Sequence, residues 1–208
     1  MATATEMTPA PADVGEDQDR IVDMSSDEYF GMIAAGLFAP KRRVYLWGGR
    51  LCEKMAKTRP HFTVSVRIGD AVRSRMPAGW LISPENPIRL DDRHVPLPDI
   101  AVIRGPIDVY EGEDRYPTVG DVGLLIEIAV TSLPKDLGKR AEVFARALVP
   151  AYWVADVRGR SIVEHIRPEV VDGVGRYAHV RACGPEEEVP LVFDGREVAR
   201  LPVRDLIR

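Results

Sequence analysis

Two stretches rich in β-forming residues each carry one carboxylate, and together they constrain the fold more than anything else in the chain. LPDIAVIRG, residues 97–105, contains Asp99, and LLIEIAV, residues 124–130, contains Glu127. A charge inside a β-run costs stability unless it is paired or holds a metal. A segment of helical periodicity, residues 135–148, follows the second run directly and brings Lys139. Strand, strand and helix in this order, with a carboxylate on each strand and a lysine downstream, point to a site that binds a cation and uses it.

At 208 residues the chain is long enough to bury an adequate core. A content of 45% hydrophobic and 29% charged residues matches an ordinary globular domain. No run approaches the ~20 apolar residues of a membrane span, and no basic region precedes an apolar one at the N-terminus. The expectation is a cytoplasmic protein with no membrane partner. Cys52 and Cys183 lie far apart with no metal-ligand spacing, which fits two reduced thiols. The net charge of -4 hides an asymmetry. Residues 1–30 hold eight acids against one base, whereas residues 41–75 hold ten bases against two acids. The second block is a candidate phosphate-facing surface. Residues 1–22, rich in Ala, Pro, Thr and Asp, read as a leader, and residues 23–208 as a single domain.

Ser25 and Glu28 have capping-box spacing, and Tyr29, Met32, Ile33 and Leu37 then give one helical face. Residues 43–47 and 50–56 read as a hairpin turning at Gly48-Gly49. From His61 to Met76, the recurrence of Phe62, Val66, Gly69, Val72 and Met76 predicts an amphipathic helix with that face inward. Residues 80–82 and 87–90 read as strands, and Asp99–Ile103 follows Pro96 and Pro98. Residues 105–120 form a long loop containing Asp108, Glu111, Glu113 and Asp114. The helix of residues 135–148 should turn Leu137, Ala141, Phe144, Ala145 and Leu148 inward. Residues 152–156 and 161–167 form a second hairpin, with weaker strands at 176–182 and 189–193. Trp47, Trp80 and Trp153 are expected in the core, an exposed one being able to stack on a base.

If the strands of Asp99 and Glu127 are neighbours, the two carboxylates can share one Mg²⁺ or Mn²⁺, since these hard ions take oxygen ligands and keep several waters. Such an ion activates water against a phosphoryl centre, and a nearby ammonium offsets the developing charge. Hydrolysis of a small phosphorylated molecule finds no support, because no GxxxxGK[ST] loop occurs.

LPDIAVIRG, LLIEIAVTSLPKDLGKRAEVFARALVPAYWVAD and the hairpin VYLWGGRL resemble the bacterial restriction-endonuclease-like Uma-two family of the PD-(D/E)xK nuclease superfamily. The resemblance implies an α/β (α+β) restriction-endonuclease-like core, with a mixed central β-sheet flanked by helices. It also implies cation-dependent hydrolysis of DNA phosphodiesters and a homodimer. By position, Asp99 and Glu127 look like the family's metal ligands. The lysine of the simple E-x-K pattern would fall at Ala129, so the resemblance assigns it to Lys139, with Asp136 and Lys135 in the same turn able to assist. His61 and Glu53 match auxiliary positions. At the hairpin, family members read Tyr-Glu-Leu-Ile-Asp-Gly where this chain reads Val44-Tyr45-Leu46-Trp47-Gly48-Gly49, so two acids are missing. That departure motivates the alternative of a catalytically weak or inactive fold acting as a nucleic-acid-binding or assembly module.

Overall fold

A computed structural model describes residues 22–39, 42–111 and 115–208. The leader expected over residues 1–22 lies outside them apart from Val22, as do Glu113 and Asp114 of the long loop. The chain opens with α1 (Ser26–Ala34), whose start is the expected Ser25/Glu28 capping box. Its Tyr29 and Phe30 are buried against Leu46 and Val95, while Leu37 lies beyond the helix and is exposed. The strands β1 (Val44–Trp47) and β2 (Arg50–Glu53) pair around Gly48 and Gly49. Both glycines have positive φ, 61° and 76°, the conformation a two-residue turn of this hand demands.

The expected helix is α2 (Arg59–Arg73), capped by the Thr58 side chain. Its inward face matches the expected one at Gly69, Val72 and Met76 and differs in the first turns. Val64, Ile68, Gly69 and Val72 are buried, whereas Phe62 and Val66 are exposed. The reason is His61, which contacts Asp99. On a helix, positions three and seven residues on share a face, so His61 carries Val64 and Ile68 inward and turns Phe62 out.

The strands β3 (Trp80–Ser83), β5 (Ile100–Arg104), β6 (Val122–Ala129), β7 (Ala151–Asp156), β8 (Ser161–Val171) and β9 (Val174–Cys183) form one six-stranded sheet in the order β3-β5-β6-β7-β8-β9. Only β6 and β7 are parallel, because the intervening helical segment returns the chain to its starting end. The short β4 (His94–Val95), which the sequence did not signal, pairs with β1. Residues 87–90, expected as a strand, form no strand and touch Thr118 only through a single bridge at Arg89. The prolines at 84, 87, 96 and 98 withhold the N–H donors a regular ladder needs. Within residues 105–120, Ile107–Tyr110 forms a 3₁₀ turn.

Between β6 and β7, α3 (Leu133–Lys135) runs through a π-helical turn, Asp136–Arg140, into α4 (Ala141–Arg146). That wider turn shifts the helical phase, a device frequent at functional sites. Asp136 and Arg140 face inward with Ala141, Phe144 and Ala145, while Leu137 and Leu148, expected inside, are exposed. The chain ends in β10 (Glu188–Phe193), β11 (Arg196–Pro202) and α5 (Val203–Leu206). On one face of the sheet, Ile126, Ile128 and Trp153 pack against α2 and this C-terminal unit. On the other, Leu125, Tyr152 and Val154 pack against α4. Gly175 of β9 lets α4 approach, since a Cβ there would lie 2.2 Å from the Arg146 amide nitrogen.

Candidate functional site

Side chains alternate along β6, so Ile126 and Ile128 enter the first layer and Glu127 the second. Ile100 of β5 is paired with Ile126, which sets Asp99, one residue earlier, beside Glu127. Both carboxylates are buried. Asp99 Oδ2 accepts the Ile128 N–H at 2.8 Å and lies 3.0 Å from His61 Nε2 at the start of α2.

The lysine of this site is Lys54, directly after β2. Its Nζ donates to the Leu97 carbonyl at 2.7 Å and lies 2.8 Å from Asp99 Oδ1 and 3.6 Å from Glu127 Oε2. Arg140 closes the inner side, pairing with Glu127 and lying 3.7 Å from Asp136. The i, i+4 spacing of Asp136 and Arg140 places both on the cleft face. Lys139 stands between them in sequence, is exposed and does not line the cleft. Lys135 lines it, with Nζ 3.5 Å from the Tyr45 hydroxyl. Glu53 reaches the rim, yet its carboxylate is held by Arg42 at 2.9 Å. The structure therefore gathers Asp99, Glu127, His61 and Asp136, leaves Glu53 at the margin and keeps Lys139 outside. Lys54, Arg140 and Tyr45 were not singled out from the sequence. The basic block of residues 41–75 contains Lys54, and the spacing from Asp136 reaches Arg140, but neither signal tells which side chain turns inward.

The cleft these groups enclose holds about 230 Å³. A larger hollow of about 430 Å³, beside β3 and Tyr110, has no converging carboxylates and offers no comparable chemistry. Burial pushes Glu127 up to about 7, further than Arg140 and Lys54 can draw it back. Burial also works against ionisation of Asp99, but the His61 contact and the Lys54 ammonium outweigh it and hold this carboxyl far below the usual range. Lys54 is likewise disfavoured by burial, yet Glu127 and Asp99 raise its pKa, so it stays an ammonium. Asp136 is raised, by burial first and against the Ser132 hydroxyl. Two adjacent carboxylates of opposite shift, with a fixed ammonium between them, form an environment built for charge. Asp99 Oδ1, Glu127 Oε1 and His61 Nδ1 are buried without an aligned hydrogen-bond partner. Among the described residues, no group of three or more His, Cys, Asp or Glu side chains is set to hold a metal.

A family model described as "Putative restriction endonuclease", Uma2, matches residues 26–204. The chain belongs to the Uma2 family. The match includes every residue of the cleft, so this Uma2 protein is a member of a nuclease family in the part that carries its site. No curated protein matches it. Its fold is similar to that of the crystal structure of "a putative nuclease belonging to DUF820" from Anabaena variabilis, with a TM-score of 0.54 and 15% identity. That similarity covers 78% of this chain and 88% of the other. It bears out the expected α+β architecture, with a mixed six-stranded sheet flanked by helices. No helix among the described residues is long and apolar enough to cross a membrane.

Proposed function

We propose that this Uma2 protein hydrolyses phosphodiester bonds of DNA with one Mg²⁺ or Mn²⁺ held by Asp99 and Glu127. One observation carries the reading: the Lys54 ammonium lies between two buried carboxylates, 2.8 Å from one and 3.6 Å from the other, so the space between them already accommodates a cation. A pair of carboxylates suits an ion that keeps most of its waters, which is how Mg²⁺ is commonly held, and not a closed zinc site. Bound there, the ion would polarise a phosphoryl oxygen and lower the pKa of a water.

The chain's own groups supply the remainder. Lys54, which keeps its proton, cannot serve as a base; it stabilises negative charge as a water oxygen adds to phosphorus and one P–O ester bond breaks. Arg140 holds Glu127 in place, and His61 orients Asp99. Lys135, which lines the cleft, offers positive charge to the backbone there. Family resemblance supports a homodimer, and two free thiols support a cytoplasmic setting. The test is cleavage of single-stranded, linear and supercoiled DNA with Mg²⁺ or Mn²⁺, against Asp99→Asn and Glu127→Gln. Unchanged cleavage in both variants sinks the assignment.

Tyr45 and Gly48 favour a second reading, since they stand where the family carries acids at the hairpin. On that reading the protein binds nucleic acid without turnover, Lys54 serving as the permanent counter-ion. It predicts salt-sensitive binding and no melting shift with Mn²⁺; a shift that disappears in Glu127→Gln removes it.

A further inference from the structure

The first turns of α2 leave an unusual apolar surface beside the cleft. Phe62 is 59% exposed and Val66, one turn on, 45% exposed, although Val64, Ile68 and Val72 on the opposite face show that the helix has a core to pack against. Met55, on the segment joining β2 to α2 and lining the cleft, is 83% exposed. Two arginines flank this strip along the helix, the exposed Arg59 one turn before Phe62 and the half-buried Arg67 directly after Val66, about 100° round from it. Their neighbours Lys57 and Arg73 are held by Glu85 and Asp70, whereas Arg59 and Arg67 form no ion pair among the described residues. All three tryptophans, the other candidates for stacking, are buried or half-buried in the protein.

An outward aromatic ring next to His61, with unpaired guanidinium groups on either side along one helix, matches the needs of a strand whose bases are open. Phosphates meet the arginines and a base face meets the ring, without sequence readout. A continuous duplex hides its base faces and gives Phe62 nothing to stack on. We infer that Phe62, with Arg59 and Arg67, forms a stacking platform that selects unpaired strands, or unpaired junctions in DNA, for the Asp99–Glu127 cleft. The inference rests on the nuclease reading and narrows its substrate to strands with exposed bases. A second copy of the chain covering Phe62 is the competing occupant.

The experiment measures equilibrium binding of a fluorescently labelled mixed-sequence 20-nucleotide DNA, single-stranded and as a blunt duplex, to the full chain in EDTA, so that turnover plays no part. Phe62→Ala should weaken single-strand binding about tenfold, within the range of one lost base–aromatic stack, and leave duplex binding within about twofold. Phe62→Trp should restore it. Phe62→Ala binding as tightly as the parent, or losing duplex binding equally, overturns the platform while leaving the nuclease reading standing. A parent chain that binds neither DNA overturns both. Sedimentation of Phe62→Ala beside the parent decides the remaining case: a dimer that becomes monomer shows that Phe62 is an interface between copies, and the platform is wrong.

Discussion

Ile126 and Glu127 are adjacent on β6, both buried, and the protein uses them in opposite ways. Ile126 enters an apolar layer with Trp153, Ile68 and Leu206, where close packing does all the work. Glu127 enters a layer where Arg140, Lys54, Asp99 and Asp136 surround it and burial outweighs the pull of its two cations. The first layer stabilises the fold, and the second spends stability on a site. Burial alone therefore says little about what a residue contributes; its partners decide.

The largest effects expected from breaking this contrast concern chemistry. Asp99→Asn or Glu127→Gln should lower metal-dependent cleavage about a thousandfold or more, in keeping with loss of a group acting on the reacting phosphate. The far-ultraviolet circular dichroism should be unchanged, showing that the loss is not one of folding. The next effects concern stability. Trp153→Ala should cost about 3–5 kcal/mol in denaturant unfolding, by leaving a cavity among Ile126, Ile68 and Leu206. Arg140→Leu should cost a similar amount, about 3–5 kcal/mol at pH 8, by taking from the buried Glu127 the closer of its two cations. The double variant Arg140→Leu/Glu127→Gln should lose much less than the sum of the single changes.

A smaller effect appears in pH dependence without metal. The carboxyl of Glu127 is raised from 4.5 to about 7 in the folded protein, so its contribution is full below 4.5 and is lost as pH rises towards 7. By linkage the loss is on the order of 3 kcal/mol. Asp99 works in the other direction: its carboxyl lies below the usual 3.8, so its contribution is present above that value and fades as pH falls below it. Unfolding free energies of Glu127→Gln between pH 4.5 and 7.5 should be flat where the parent declines. The smallest effect is at Lys139. As an exposed side chain outside the cleft, its replacement by Ala should change stability by less than about 0.5 kcal/mol and leave cleavage intact, whereas Lys54→Ala should not.

The hairpins show how far local chemistry reaches. Gly48-Gly49 announced its turn, and Asp172-Gly173 and Asp194-Gly195 form two-residue turns of the same kind, with positive φ at both positions of each. The Asp194-Gly195 pair was a readable sign of β11, which was not expected as a strand. Helix α2 shows where reading stops. Two apolar rows competed along residues 61–76; the expected one is right at Gly69, Val72 and Met76, but at the start of the helix the protein buries Val64 and Ile68 and leaves Phe62 and Val66 in water.

By itself the sequence determined most of the elements, their order and the two carboxylates, since strand propensity, turn chemistry and an acid within an apolar run are local facts. It also carried the family, through motifs that keep their spacing. Only the tertiary structure decided which cation meets those carboxylates. Lys54 arrives from the hairpin across 45 residues of chain from Asp99, and Arg140 reaches Glu127 from the cleft face that it shares with Asp136, while Lys139 turns to solvent. A register change of one residue rotates a helical side chain by about 100°, enough to exchange cleft for solvent, and nothing in the local sequence records that rotation.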